Sequence, residues 1–183
     1  MIDLRNRSLP NTICVNGGLY SIHTDFREWL KFGEIIKNEN LIGKDVLFLF
    51  KNDFPTSNPF DSLLEFYINA NATPKKEDSN DNTKIFDYVL DGEYILGSFM
   101  AVYGIDLTEI EYLHWHKFQA LFRALPDDSC IRQIMSRRAW KKSSKSMETQ
   151  LQEAKQIWSF PIERTVTDEE LQNELMEEFY GTI

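Results

Sequence analysis

Apolar and polar positions along the chain mark a short β-hairpin followed by helices. From Thr12 to His23 two β-prone stretches flank Asn16-Gly17-Gly18, and Asn and Gly tolerate the positive φ of a tight hairpin turn. Asp25 and Glu28 then stand at capping-box spacing, and Phe26, Trp29, Leu30, Gly33 and Ile36 recur at helical intervals, which predicts a helix over 25–38. Phe32 and Ile35 fall off that face and need either a second layer or a partner; burial is the commoner fate of large apolar side chains. The run Val46-Leu47-Phe48-Leu49-Phe50 is too short for its period to separate a helical turn from a strand. Helix is the preferred reading. Asn58-Pro59 supplies an N-cap and a proline at the first helical position, with Phe60, Leu63, Leu64 and Tyr67 as the apolar face of a helix ending near Asn71.

The stretch from Thr73 to Thr83 holds no apolar residue and cannot repay the entropy of ordering. It reads as a flexible linker over 73–84, between an N-terminal part at 1–72 and a helical domain at 85–160. The second part opens on the strongest helical pattern in the chain. At about 100° per residue, Ile85, Tyr88, Val89, Ile95, Leu96, Phe99, Met100, Val102 and Tyr103 share one arc, with Asp87, Asp91 and Ser98 opposite. Gly92 lies inside the arc, where it would let another helix approach closely, and Gly104 ends the helix. Thr108 and Glu111 make a capping box for a helix to Leu125, and Pro126-Asp127 separates it from another starting near Asp128. Helices joined so tightly pack antiparallel. Helix returns over 147–158 until Phe160-Pro161 breaks it. In the last part, 161–183, Thr167 and Glu170 cap an acidic amphipathic helix with Leu171, Leu175 and Phe179 on one side. The fold class is therefore mainly α: an N-terminal β-hairpin, an antiparallel helical domain and a C-terminal amphipathic helix.

Composition narrows the role. The chain has 183 residues, 42% of them hydrophobic, and 29 acidic against 20 basic side chains give a formal net charge of −9. Such a charge repels phosphate backbones unless the cations are segregated. The six cations Arg132, Arg137, Arg138, Lys141, Lys142 and Lys145, with Trp140 among them, are the one stretch that invites nucleic acid; a solvated helix end is the plainer reading. No apolar run reaches the ~20 residues that span a bilayer, and the first residues lack a signal-peptide core, so the protein is expected in the cytosol where it is made. Cys14 and Cys130 lie far apart and read as small buried apolar residues.

Catalytic and metal chemistry find little support in the pattern. In His114-Trp115-His116 the two histidines would point about 200° apart on a helix, so no shared ion is expected and His114 belongs at the core edge. Asp87/Asp91 and Asp127/Asp128 lie on polar helix faces or at a cap, where carboxylates are common. No nucleophile and base can be assembled and no phosphate loop appears, so a non-catalytic protein without cofactor or metal is expected. The aromatic residues carry more. On the helix from Thr108 to Leu125, Ile110, Leu113, Phe118, Leu121 and Leu125 define the core arc while Trp115 and Phe122 lie on its flank. Two large aromatics at a core margin can line a groove.

The residues Phe86-Asp87-Tyr88, Asp91, Tyr94-Ile95, Ser98-Phe99, Tyr103-Gly104-Ile105-Asp106-Leu107, Leu113-His114-Trp115, Lys117-Phe118, Leu121 and Leu125-Pro126 form a block. This block resembles the core signature of the gene-product-fifteen family of long-tailed phages (siphoviruses) and prophages of Gram-positive bacteria. The resemblance implies a tail assembly chaperone that acts in the host cytoplasm during virion morphogenesis. Its implied partners are the tape measure protein, which it keeps soluble, and the tail tube protein, which it recruits; self-association is left open. Under that reading Phe99, Tyr103, Trp115, Phe118 and Phe122 line an aromatic groove or support it, and Leu171, Leu175 and Phe179 form a docking tail helix. The competing readings are a structural tail protein retained in the virion and a nucleic-acid-binding regulator.

Overall fold

The hairpin forms where the alternation places it. In a computed structural model of the chain, β1 (Thr12–Val15) pairs antiparallel with β2 (Gly18–Ser21), Thr12 opposite Ser21 and Val15 opposite Gly18. Asn16 and Gly17 both take positive φ, 48° and 84°, the geometry that matches a two-residue turn to strand twist. Ile13 and Val15 face inward and are buried, so Cys14 between them faces out. Cys14 and Cys130 are both exposed, against the expectation of burial: strand alternation turns out the first, and the second opens a helix. The structure describes residues 5–6, 8–37, 42–68, 85–140, 155 and 157–159. Residues 1–141 form one compact unit and 142–183 a second, of which residues 155 and 157 are helical and Ile157 is exposed.

Helix α1 (Phe26–Ile35) is capped by Asp25, whose Oδ1 accepts from the Arg27 N–H at 3.0 Å. It buries Phe26, Trp29, Phe32 and Gly33. A Cβ on Gly33 would collide with the Tyr67 hydroxyl, so glycine is what lets the next helix lie against α1, and that helix is the second layer over Phe32. The apolar run after it is a 3-10 helix, Gly43–Leu49. Its three-residue turn puts Val46 and Leu49 on the buried side and leaves Leu47 exposed. Backbone bonds from His23 N to Leu49 O (2.8 Å) and from Lys51 N to Ser21 O (3.1 Å) fasten its end to the hairpin. Helix α2 (Phe60–Ile68) starts at the predicted cap, with Asn58 Oδ1 accepting from Phe60 N–H at 3.0 Å.

Residues 73–84 lie outside the described residues. The residues on their two sides share one hydrophobic core and one compact unit. Past them the structure departs from the reading. Helix α3 spans Gly92–Tyr103, not 85–103. Asp87 Oδ1 accepts from the N–H groups of Val89 (2.8 Å) and Leu90 (3.0 Å), a side-chain alternative to the helical ladder, and turns out Val89 and Leu90. Asp87, Asp91 and Ser98, assigned to a polar face, are buried. Gly92 sits at the helix start and, among the described residues, no helix presses on it: an added Cβ would meet nothing within 4 Å. Gly104 does end α3, at φ 65°.

The next helix, α4, is Trp115–Arg123 and not 108–125. Thr108 and Glu111 do not cap it. Asp106 Oδ1 accepts from the Thr108 N–H (2.8 Å) and hydroxyl (2.6 Å), folding a turn. Arg27 donates to the carbonyls of Leu107 (3.0 Å) and Ile110 (2.7 Å), which are thereby withdrawn from a helical ladder. Residues 113–115 instead run beside 24–26, with Phe26 N to Leu113 O at 2.8 Å and Trp115 N to Thr24 O at 2.7 Å. Helix α5 (Cys130–Ala139) follows and packs on α3. Among the described residues no helix is long and apolar enough to cross a membrane.

Candidate functional site

The aromatic candidates come together, in the core. Phe99, Trp115 and Phe118 are essentially inaccessible and Phe122 is 6% exposed. Trp115 stacks on Tyr67 with centroids 5.1 Å apart; Phe118 stacks on Phe26 (4.9 Å), Phe99 (5.3 Å) and Trp115 (5.8 Å). Tyr103 is half-buried and its hydroxyl donates to Leu121 O at 2.8 Å. A helix begun at Thr108, seven residues before the observed start, sets Trp115 and Phe122 on its flank. With α4 beginning at Trp115 its first turn dips into the core, and both rings are packing support, not groove walls. Leu171, Leu175 and Phe179 lie outside the described residues.

One end of this stack is a polar clasp. The last carbonyls of a helix lack intrahelical donors, and α4 side chains supply them to α2: Trp115 Nε1 and Gln119 Nε2 both donate to Tyr67 O at 2.9 Å, and His116 Nε2 donates to Phe66 O at 2.8 Å. His114 caps α4, its Nδ1 accepting from His116 N–H at 3.1 Å while Nε2 donates to Pro10 O at 2.9 Å. His114 is therefore the neutral Nε2–H form, and His116 carries a proton on Nε2. Burial holds the His116 pKa down at about 4, and lowers that of His114; His116 Nδ1 is buried without a hydrogen-bond partner among the described residues. Burial likewise pushes the phenols of Tyr67 and Tyr88 up. Among the described residues no three His, Cys, Asp or Glu are placed to hold a metal ion.

The α3–α5 side is locked by charge. Arg138 Nη1 and Nη2 grip Asp91 Oδ2 and Oδ1 at 2.6 and 2.9 Å, with 8% and 1% of the two side chains exposed. Asp91 also accepts from Asp87 N–H at 2.8 Å. Arg138 is thus no part of a solvated cationic helix end, and Arg132 bonds Asp127 at 3.1 Å.

Of the surface clefts among the described residues, the one with the most apolar lining is about 400 Å³ and lies between α1 and α3. Phe26, Leu30, Tyr88, Ile95, Leu96, Leu107 and Phe118 make its apolar lining, and Arg27, Gly92, Glu93 and Thr108 complete it. Of the predicted aromatic set, Phe118 alone reaches it. Leu30 and Leu96 read from sequence as apolar helix-face positions and Leu107 as part of the signature block, none of them as a site residue. Phe26/Leu30 and Gly92/Leu96 each stand four residues apart, but nothing local says that the two pairs face each other.

The family comparison makes this a bacteriophage protein. Over residues 6–160 the chain matches the family described as Bacteriophage Gp15 protein, and it belongs to that family. Neither a curated protein nor a solved structure matches it.

Proposed function

We propose that the protein is a non-catalytic tail assembly chaperone that binds the tape measure protein in the host cytoplasm, keeps it soluble and helps recruit tail tube subunits. Membership of the phage family over residues 6–160 carries this reading. The physics supports it. A long helical client that has not met its tube exposes an apolar stripe, and a groove between helices can cover such a stripe. The α1–α3 cleft is an apolar surface of that kind, left uncovered by the described residues. Many weak contacts along the client would give avidity while each unit stays displaceable by a polymerising subunit, and a net charge of −9 favours solubility of the coated complex. The nucleic-acid reading loses ground because Arg138 is turned inward onto Asp91.

The test is coexpression with the product of the neighbouring long tape measure gene. That product should become soluble and copurify with this chain, and mature tails should lack this chain. A tape measure product that stays insoluble overturns the reading, and so does this chain in purified virions at structural stoichiometry.

A further inference from the structure

We propose that the cleft between α1 and α3 is the client site, and that its occupant is an amphipathic helix carrying a lysine or arginine beside its apolar stripe. The identity of the client rests on the chaperone reading; the site rests on geometry. At the start of α3, Gly92 leaves the cleft wall open, with nothing within 4 Å of where a Cβ would stand. One turn on, Leu96 lines the cleft, and one turn further Met100 is 49% exposed. Steps of four residues put these three positions in a row about 12 Å long. An elongated apolar row beside a helix suits the i, i+4, i+7 anchors of a second helix better than a compact small molecule.

Charge selects which helix. On the α1 wall, Arg27 is answered from within: it bonds the Asp25 carboxylate at 3.2 Å and the carbonyls of Leu107 and Ile110. On the facing wall Glu93 is exposed and has no hydrogen bond or ion pair among the described residues. The unanswered charge at the cleft is therefore negative, on a chain that is itself acidic, and it calls for a cation on the ligand.

The full-length protein should be titrated at physiological salt with a labelled synthetic leucine–lysine amphipathic helix of about 18 residues, five turns long. A leucine–glutamate peptide of the same pattern is the control. The lysine peptide should bind about tenfold tighter or more than its control, Gly92→Trp should weaken it by about tenfold without changing any charge, and Glu93→Lys should reverse the preference. Circular dichroism and thermal midpoint check each fold; should Gly92→Trp not fold, Glu93→Lys carries the test alone. Equal affinity for both peptides, or binding indifferent to the variants, overturns the proposal. Sedimentation in which the wild type dimerises, Gly92→Trp is monomeric and neither binds peptide also overturns it, the occupant then being a second copy. Coexpression separates the two readings. If wild type and variants alike keep the tape measure product soluble, the cleft fails and the chaperone stands. If the peptides behave as expected but the wild type does not hold the product, the cleft stands and the chaperone reading fails.

Discussion

Phe118 divides the molecule into two unlike sides. Towards α2 its neighbour Trp115 is covered by Tyr67, and Trp29 lies beyond at 6.5 Å from that ring; Trp115 Nε1 and Gln119 Nε2 both donate to Tyr67 O, and Trp29 Nε1 donates to His23 O. Towards α3 the same ring floors an open cleft whose walls end in half-buried Leu30 and Leu96. The chemistry is similar and the completeness is not. Apolar surface that meets its complement within the chain holds the fold, whereas surface left without one is available to another molecule.

The largest expected break falls on the sealed side. Trp115→Ala should cost about 4 to 5 kcal/mol in urea unfolding, since a fully buried ring leaves a cavity. Near-ultraviolet dichroism should collapse with it. A variant as stable as wild type that had only lost its client would return Trp115 to a groove wall. Next in size is Asp91→Ala, which strands the Arg138 guanidinium in the interior at a cost of about 3 kcal/mol. Asp91→Leu combined with Arg138→Met should recover most of that, as measured by the same unfolding curves; no recovery would mean that the pair is held for more than charge balance.

How much of this was legible follows from where each determinant lies. The hairpin, the Asn58 and Asp25 caps and the Gly104 stop were readable because a turn, a cap or a positive φ is decided within a few residues. The segments 85–91 and 108–114 were not. Asp91 looked like a solvent-facing residue because its partner Arg138 lies 47 residues on, and the helix expected from Thr108 fails because Arg27, 80 and 83 residues away, claims its carbonyls. The cleft was invisible for the same reason. Gly92 read as a contact point for a neighbouring helix, and a lone sequence cannot say that no helix arrives.

A smaller effect sharpens the sealed side through pH. In the folded protein His116 stays neutral down to about pH 4, whereas the unfolded side chain takes up a proton near pH 6.5. Below 6.5 the unfolded state binds more protons, so stability is complete above that pH, falls as pH drops towards 4, and loses nothing further from this group below it. The loss should be about 3 kcal/mol, shared in direction by His114. His116→Gln, able to donate to Phe66 O but not to titrate, should flatten that part of the curve of denaturation midpoint against pH. An unchanged slope would mean that the clasp is not what acid opens.

The smallest stability change is expected on the open side. Leu96 is half-buried and its outer carbons face the cleft, so Leu96→Ala forgoes only part of the burial a core leucine would lose, about 1 kcal/mol. Its effect on client retention should be far greater than its effect on the unfolding midpoint, the reverse of the order expected for Trp115→Ala. Measuring both quantities for both variants therefore tests the division at Phe118 directly. If Leu96→Ala costs as much stability as a core truncation and retains the client, the cleft closes in solution and the two sides of the molecule are alike. If it leaves the midpoint near wild type and releases the client, the apolar surface on that side is held for a partner.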